Sequence, residues 1–86
     1  MPRIYWTSEA SLQLDALDER TQQAIRRRVD ILGDFPFAGV ALTRDWEGFR
    51  KLSAAPVPWV IIYTVRDPET IIIGYLRHAR SRWETR

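Results

Sequence analysis

Near the end of the chain, Leu76-Arg77-His78-Ala79-Arg80 places two guanidinium groups and the sequence's single histidine within four consecutive positions. A second basic pair, Arg50-Lys51, lies between Phe49 and Leu52. Guanidinium is a planar fork of donors suited to phosphate and carboxylate, and imidazole can take or give a proton near neutrality. Cutting RNA without a metal needs a base for the 2′-hydroxyl, an acid for the leaving 5′-oxygen, and cations for the charge that builds on phosphorus. His78 can fill one proton-transfer role, and Arg50, Lys51, Arg77 and Arg80 can hold phosphate. The second proton-transfer group has no obvious seat, with Tyr75, Glu84 and Lys51 as alternatives. In an extended chain His78 and Arg80 share one side and Arg77 takes the other, which makes His78 and Arg80 the pair to follow. The same groups, with Arg82 and Trp83 behind them, suit equally the gripping of an acidic protein surface.

Composition narrows the chemistry. The 86 residues are expected to form one domain, 1–86, with one modest core. With no cysteine, disulfides, thiolate metal sites and cysteine nucleophiles are excluded, and one histidine cannot build a multi-histidine metal centre. No cofactor is expected. The start, Met1-Pro2-Arg3-Ile4, lacks a signal-peptide pattern, and no apolar run approaches the ~20 residues of a membrane span, so a cytoplasmic protein is expected. Net charge is only +2, yet lysine supplies one of the 13 basic residues and arginine all the others. Selection for guanidinium and high-GC coding both produce that skew, and both explanations stand.

The elements that would position these groups follow from periodicity. Arg3–Trp6 reads as a strand, with Thr7 or Ser8 as a helix N-cap. Apolar stripes at Ala10, Leu14 and Leu17, then at Ile25, Val29 and Leu32, predict a helical hairpin over roughly 8–19 and 20–33, with Gly33 as C-cap. The run Arg26-Arg27-Arg28 fans out over ~200° of helix and does not form one basic face. Asp34–Gly39 is a loop expected to seal the end of the core, and 40–48 carries no clear pattern. Phe49–Leu52, Trp59–Val65 and Thr70–Leu76 are strands, the last two joined by a tight turn at Asp67-Pro68. The expected fold is α+β, in the order β-α-α-β-β-β, a mainly antiparallel sheet with the α-hairpin packed on one face. The opposite face is expected to stay open, edged by guanidinium and imidazole.

Several stretches together are similar to a known family: Trp6-Thr7-x-x-Ala10 at the first helix start, Phe35-Pro36-x-x-Gly39, Phe49-Arg50-Lys51-Leu52, Ile61-Ile62-Tyr63-Thr64-Val65, and Leu76-Arg77-His78-Ala79-Arg80. In this order and spacing they resemble the RelE/ParE toxin superfamily along almost the whole chain. The resemblance implies the toxin half of a type II toxin–antitoxin system, wrapped and silenced by the C-terminal segment of a cognate antitoxin. Operator DNA would be met only through that antitoxin. Two activities occur in the superfamily. ParE-like members poison DNA gyrase, whereas RelE-like members cut messenger RNA on the ribosome with Lys and Arg side chains on the sheet and an acid–base residue near the C-terminus. RelE-like nucleases usually carry an Arg just before the central aliphatic run, where this chain reads Pro58-Trp59-Val60, and many carry a C-terminal Tyr, where it reads Trp83-Glu84. The resemblance therefore favours the ParE-like, non-catalytic branch, with Arg50, Lys51, Arg77, His78, Arg80, Arg82 and Trp83 contacting target or antitoxin. In the RelE-like alternative, His78, Arg80, Arg50 and Lys51 would be catalytic. A non-toxic binding module on the same fold is the third reading.

Overall fold

Two helices cross one face of a five-stranded sheet in the computed structural model, which describes residues 1–83. In chain order the elements are β1 (Arg3–Trp6), α1 (Ser8–Asp15), α2 (Glu19–Asp30), β2 (Val40–Ala41), β3 (Arg50–Ser53), β4 (Trp59–Asp67) and β5 (Thr70–His78). The sheet order is β1-β5-β4-β3-β2, with β1 parallel to β5 and every other pair antiparallel. The α+β architecture is as expected, with one addition. The unassigned stretch supplies β2, two residues pairing Val40 with Lys51 and Ala41 with Arg50.

Both helices are shorter than their apolar stripes suggest: α1 stops before the side-chain cap of α2, and α2 gives way to a 3-10 turn. Thr7 caps α1 by accepting the Ala10 N–H at 3.1 Å, and its own hydroxyl donates to the Gly74 carbonyl at 2.8 Å. Asp18 caps α2, with its two carboxylate oxygens taking the Thr21 N–H at 3.2 Å and the Thr21 hydroxyl at 2.6 Å. That capping residue is extended (ψ 157°), so α1 has to stop before it. Gly33 does not form the expected left-handed C-cap. Instead α2 tightens into a 3-10 turn over Ile31–Gly33, and the Asp34 and Phe35 N–H groups both donate to the Ile31 carbonyl.

The core lies between the helices and one sheet face. Ala10, Leu14, Ile25, Val29 and Leu32 meet Leu52, Ile61, Tyr63, Ile71, Ile73 and Leu76. Burying each large aliphatic side chain contributes about 1.5–3 kcal/mol. Strict alternation along β5 would put Tyr75 and Arg77 beside Ile71 and Ile73. A bulge prevents this: the partners step from Tyr63–Ile73 to Ile62–Tyr75, leaving Gly74 as the extra residue. Beyond it Leu76 and His78 face the helices, while Tyr75 and Arg77 face away. The Thr7 hydroxyl satisfies the carbonyl of this bulged residue.

Past Ile73, β5 loses β1 as a neighbour, and α1 takes over the exposed edge. The Gln13 side-chain oxygen accepts the Leu76 N–H at 2.7 Å, standing in for a strand partner. No helix among the described residues is long and apolar enough to cross a membrane.

Candidate functional site

The register of β3, β4 and β5 sorts the expected basic residues onto different faces. Arg50 pairs with Tyr63, and Tyr63 with Ile73, so Arg50 lies on the helix side of the sheet. There it donates to the Gly39 carbonyl at 2.7 Å, and its guanidinium lies 4.9 Å from the centre of the Phe37 ring. Lys51, one residue on, pairs with Ile62 and belongs to the far face with Tyr75 and Arg77. The Arg50-Lys51 pair therefore does not act as one cationic patch.

The expected juxtaposition of His78 and Arg80 on an extended strand is not found. Strand β5 ends at His78, and the chain turns there: Ser81 donates to the His78 carbonyl through its N–H (3.0 Å) and its hydroxyl (2.8 Å). The Arg80 contribution to the His78 ring is its backbone N–H, which donates to Nδ1 at 3.1 Å. That bond fixes Nδ1 as an acceptor. On its other side the ring meets Trp59 edge-to-face, with centroids 5.4 Å apart. His78 is half-buried at the helix-side end of the sheet, away from the Lys51, Tyr75 and Arg77 face.

That far face is not the empty hollow expected from the sequence. Ile62 is fully buried on it. The loop between β2 and β3 bends through left-handed backbone at Arg44 (φ 58°) and Gly48 (φ 93°) and sets Trp46 over the sheet. Around Trp46 stand Phe49, Tyr75 and Trp83, each edge-to-face at 5.9, 5.5 and 5.4 Å between centroids. The Trp46 indole N–H also donates to the Trp83 carbonyl at 3.2 Å, which ties residues 79–83 across the cluster. The chain's own rings fill the space expected for a ligand, because a small domain with spare aromatics gains more by stacking them than by leaving apolar sheet wet. The result is an aromatic platform with cations at its rim. Arg77 lies over the Tyr75 ring at 4.9 Å, bonds the Leu76 carbonyl and approaches Glu9 of α1 at 3.7 Å. Lys51 is half-buried on the same face, and Arg80 and Arg82 are exposed in the tail. Glu84, one alternative for the second proton-transfer group, lies outside the described residues. Among the described residues no cluster of metal-ligating side chains occurs.

One surface arrangement was not read from sequence. The loop expected to seal the core does so with its backbone, whereas Phe35 and Phe37 remain 65% and 63% exposed. Two side chains from the sheet pin it: Arg50 through the Gly39 carbonyl, and Tyr63, whose hydroxyl donates to the Pro36 carbonyl at 2.9 Å and accepts the Gly39 N–H at 2.8 Å. Burial pushes the Tyr63 phenol above its ordinary value, while the Gly39 N–H and the Arg50 charge pull the other way. Two outward phenylalanines on a fastened loop form an exposed apolar patch next to Val40, itself 64% exposed. The signal available in the sequence was the pair of aromatics around Pro36, which reads equally well as core.

The model of the ParE toxin of the type II toxin–antitoxin system, parDE, matches residues 4–83, and the chain belongs to that family. Solved structures share the fold. The chromosomal ParDE system from P. aeruginosa superposes with a TM-score of 0.78 at 21% identity, covering 93% of this chain and 98% of that one. The intact E. coli RelBE toxin–antitoxin complex gives 0.78 at 11% identity, covering 94% and 100%. YafQ from E. coli gives 0.73 at 14% identity, covering 91% and 93%. No curated protein sequence matches the chain significantly.

Proposed function

We propose that this chain is the toxin of a ParE-type pair, held inactive in the cytoplasm by the C-terminal segment of a co-encoded antitoxin and acting, when free, by blocking DNA gyrase without catalysis of its own. The carrying observation is the employment of His78. Its Nδ1 is occupied by the Arg80 backbone N–H, its ring rests on Trp59, and it sits on the opposite side of the sheet from Lys51, Tyr75 and Arg77. A metal-independent nuclease needs an acid, a base and phosphate-holding cations converging on one point. Here the imidazole diverges from Lys51 and Arg77, and Arg50, on the imidazole's side of the sheet, is engaged by the Gly39 carbonyl and the Phe37 ring. The ParDE and RelBE neighbours are toxin–antitoxin systems, which supports an antitoxin as partner. In this reading operator DNA is met only through the antitoxin, and no membrane is involved.

A second reading has one observation in its favour. Lys51, Tyr75 and Arg77 share a face, giving a phenol and two cations to a ribosome-dependent nuclease that would use Tyr75 in place of His78. Supercoiling assays with purified gyrase separate the two. Inhibition that survives Tyr75→Phe is expected. Normal supercoiling at every toxin excess, with cleaved messenger in induced cells, removes the gyrase reading.

A further inference from the structure

On the helix side of the molecule, the second half of α2 and the loop joining β3 to β4 enclose an open cleft of about 300 Å³. Ala24, Ile31, Ala55 and Pro56 form its apolar floor, and Arg27 and Arg28 line it from α2. We propose that this cleft docks an acidic peptide segment, taking one apolar side chain on the floor and its flanking carboxylates on the two arginines. It rests on the antitoxin reading only for the identity of the natural partner.

Charge complementarity carries the choice of occupant. Arg28 is fixed across the cleft by one donor, Nε to the Ser53 carbonyl at 2.9 Å, which holds its terminal nitrogens in place at the cleft wall. Neither those nitrogens nor the Arg27 guanidinium forms an ion pair among the described residues, and both side chains are exposed. No acidic residue lines the cleft. One cation held and one free among the described residues, beside an apolar floor, match a helix or strand that alternates carboxylates with an aliphatic anchor. A nucleic acid fits less well, since no aromatic ring lines the floor for a base to stack on. The three consecutive arginines thus acquire a division of labour: Arg27 and Arg28 turn to this cleft, and Arg26 turns away toward Gln22, its Nη1 3.4 Å from the Gln22 side-chain oxygen.

The test is an NMR titration of the ¹⁵N-labelled protein with a synthetic helical peptide carrying one leucine flanked by glutamates. The same peptide with lysines for glutamates, and a single-stranded oligonucleotide, are the other arms. The acidic peptide alone is expected to shift the amides of Ala24, Ile31 and Ala55, with binding weakened about 5–10-fold in Arg27→Glu, an exposed position whose replacement leaves the fold intact. No shift in the cleft, equal shifts with the lysine peptide, or occupation of the cleft by the oligonucleotide overturns the proposal. A parallel pull-down uses the protein encoded beside this chain's gene. Capture by Arg27→Glu as tight as by the wild type removes the cleft and spares the antitoxin reading. No capture by the wild type removes the antitoxin reading, and the peptide titration still judges the cleft.

Discussion

Replacing Tyr63 by Phe removes one oxygen atom and tests how the exposed phenylalanine loop is held. The hydroxyl accepts the Gly39 N–H and donates to the Pro36 carbonyl, from a side chain with no exposed surface. Gly39 is itself buried, so in Tyr63→Phe its N–H loses its partner without gaining water. A buried, unsatisfied donor costs about 1–3 kcal/mol. Pro36 is half-buried and its carbonyl can rehydrate, so it adds little. The expected loss is about 2 kcal/mol, or roughly 8–15 °C in melting temperature for a domain of this size. Chemical denaturation followed by circular dichroism measures it, and hydrogen exchange reads the Gly39 amide directly. The substitution also changes the alkaline limb of the stability curve. Burial raises the folded phenol above its unfolded value of about 10. Below that value the contribution is fully present. As pH rises through the folded value the native state holds a proton the unfolded chain has released, and stability falls by up to about 1.4 kcal/mol per pH unit. Tyr63→Phe lacks this decline. A stability change under about 0.5 kcal/mol, with the Gly39 amide still protected, would refute the fastening role.

Other substitutions probe the same architecture. In Gly39→Ala the new Cβ would stand 2.7 Å from the Lys51 carbonyl oxygen and 2.7 Å from the Tyr63 ring, so urea denaturation should show a loss of about 1–3 kcal/mol or more. Asp18→Ala removes both bonds to Thr21, and faster exchange of the first α2 amides is expected. Those bonds hold the Asp18 carboxyl below its ordinary value, so their stabilisation is present above pH about 4 and fades as pH falls, making the variant and wild type converge in acid. Trp83→Ala should cost about 0.5–1.5 kcal/mol through the lost edge-to-face contact, with red-shifted Trp46 emission as that ring becomes wet. Arg50→Ala should lower stability by about 1.5–3 kcal/mol, whereas Arg82→Ala should change it by less than about 0.5 and alter only partner or target binding.

Strands β1, β3, β4 and β5, the helix pair and their order were legible because period-2 and period-3.6 patterns are local; the two-residue β2 is too short to show a period. Two of the quoted motifs prove to be hydrogen-bonded units: Thr7-x-x-Ala10 is a helix cap, and Pro36-x-x-Gly39 is the span closed by the Tyr63 hydroxyl. What could not be read was which face each cation takes. That depends on the bulge at Gly74, a glycine inside an aliphatic run, which swaps the sides of every later residue in β5. It depends too on the turn at His78, which defeats the extended-chain argument for Arg80. Filling of the far face rests on Trp46, 37 residues from its tail partner Trp83, from a stretch with no periodic pattern at all.

The preference for arginine over lysine has a structural reason in these contacts. Arg28, Arg50 and Arg77 each spend one donor on a backbone carbonyl, of Ser53, Gly39 and Leu76 respectively. A guanidinium that has given one N–H still keeps up to four in a fixed plane, so the bond that orients it also aims the remainder outward. An ammonium tied to the same carbonyl would keep two donors with no fixed plane. The bonds holding Arg28 to the strand end and Arg77 beside the aromatic platform therefore also pre-orient cations for an anionic partner, at a lower entropic cost than ordering free side chains on contact. Lysine replacements at these positions should retain charge and fold while weakening partner binding. High-GC coding alone predicts no such loss.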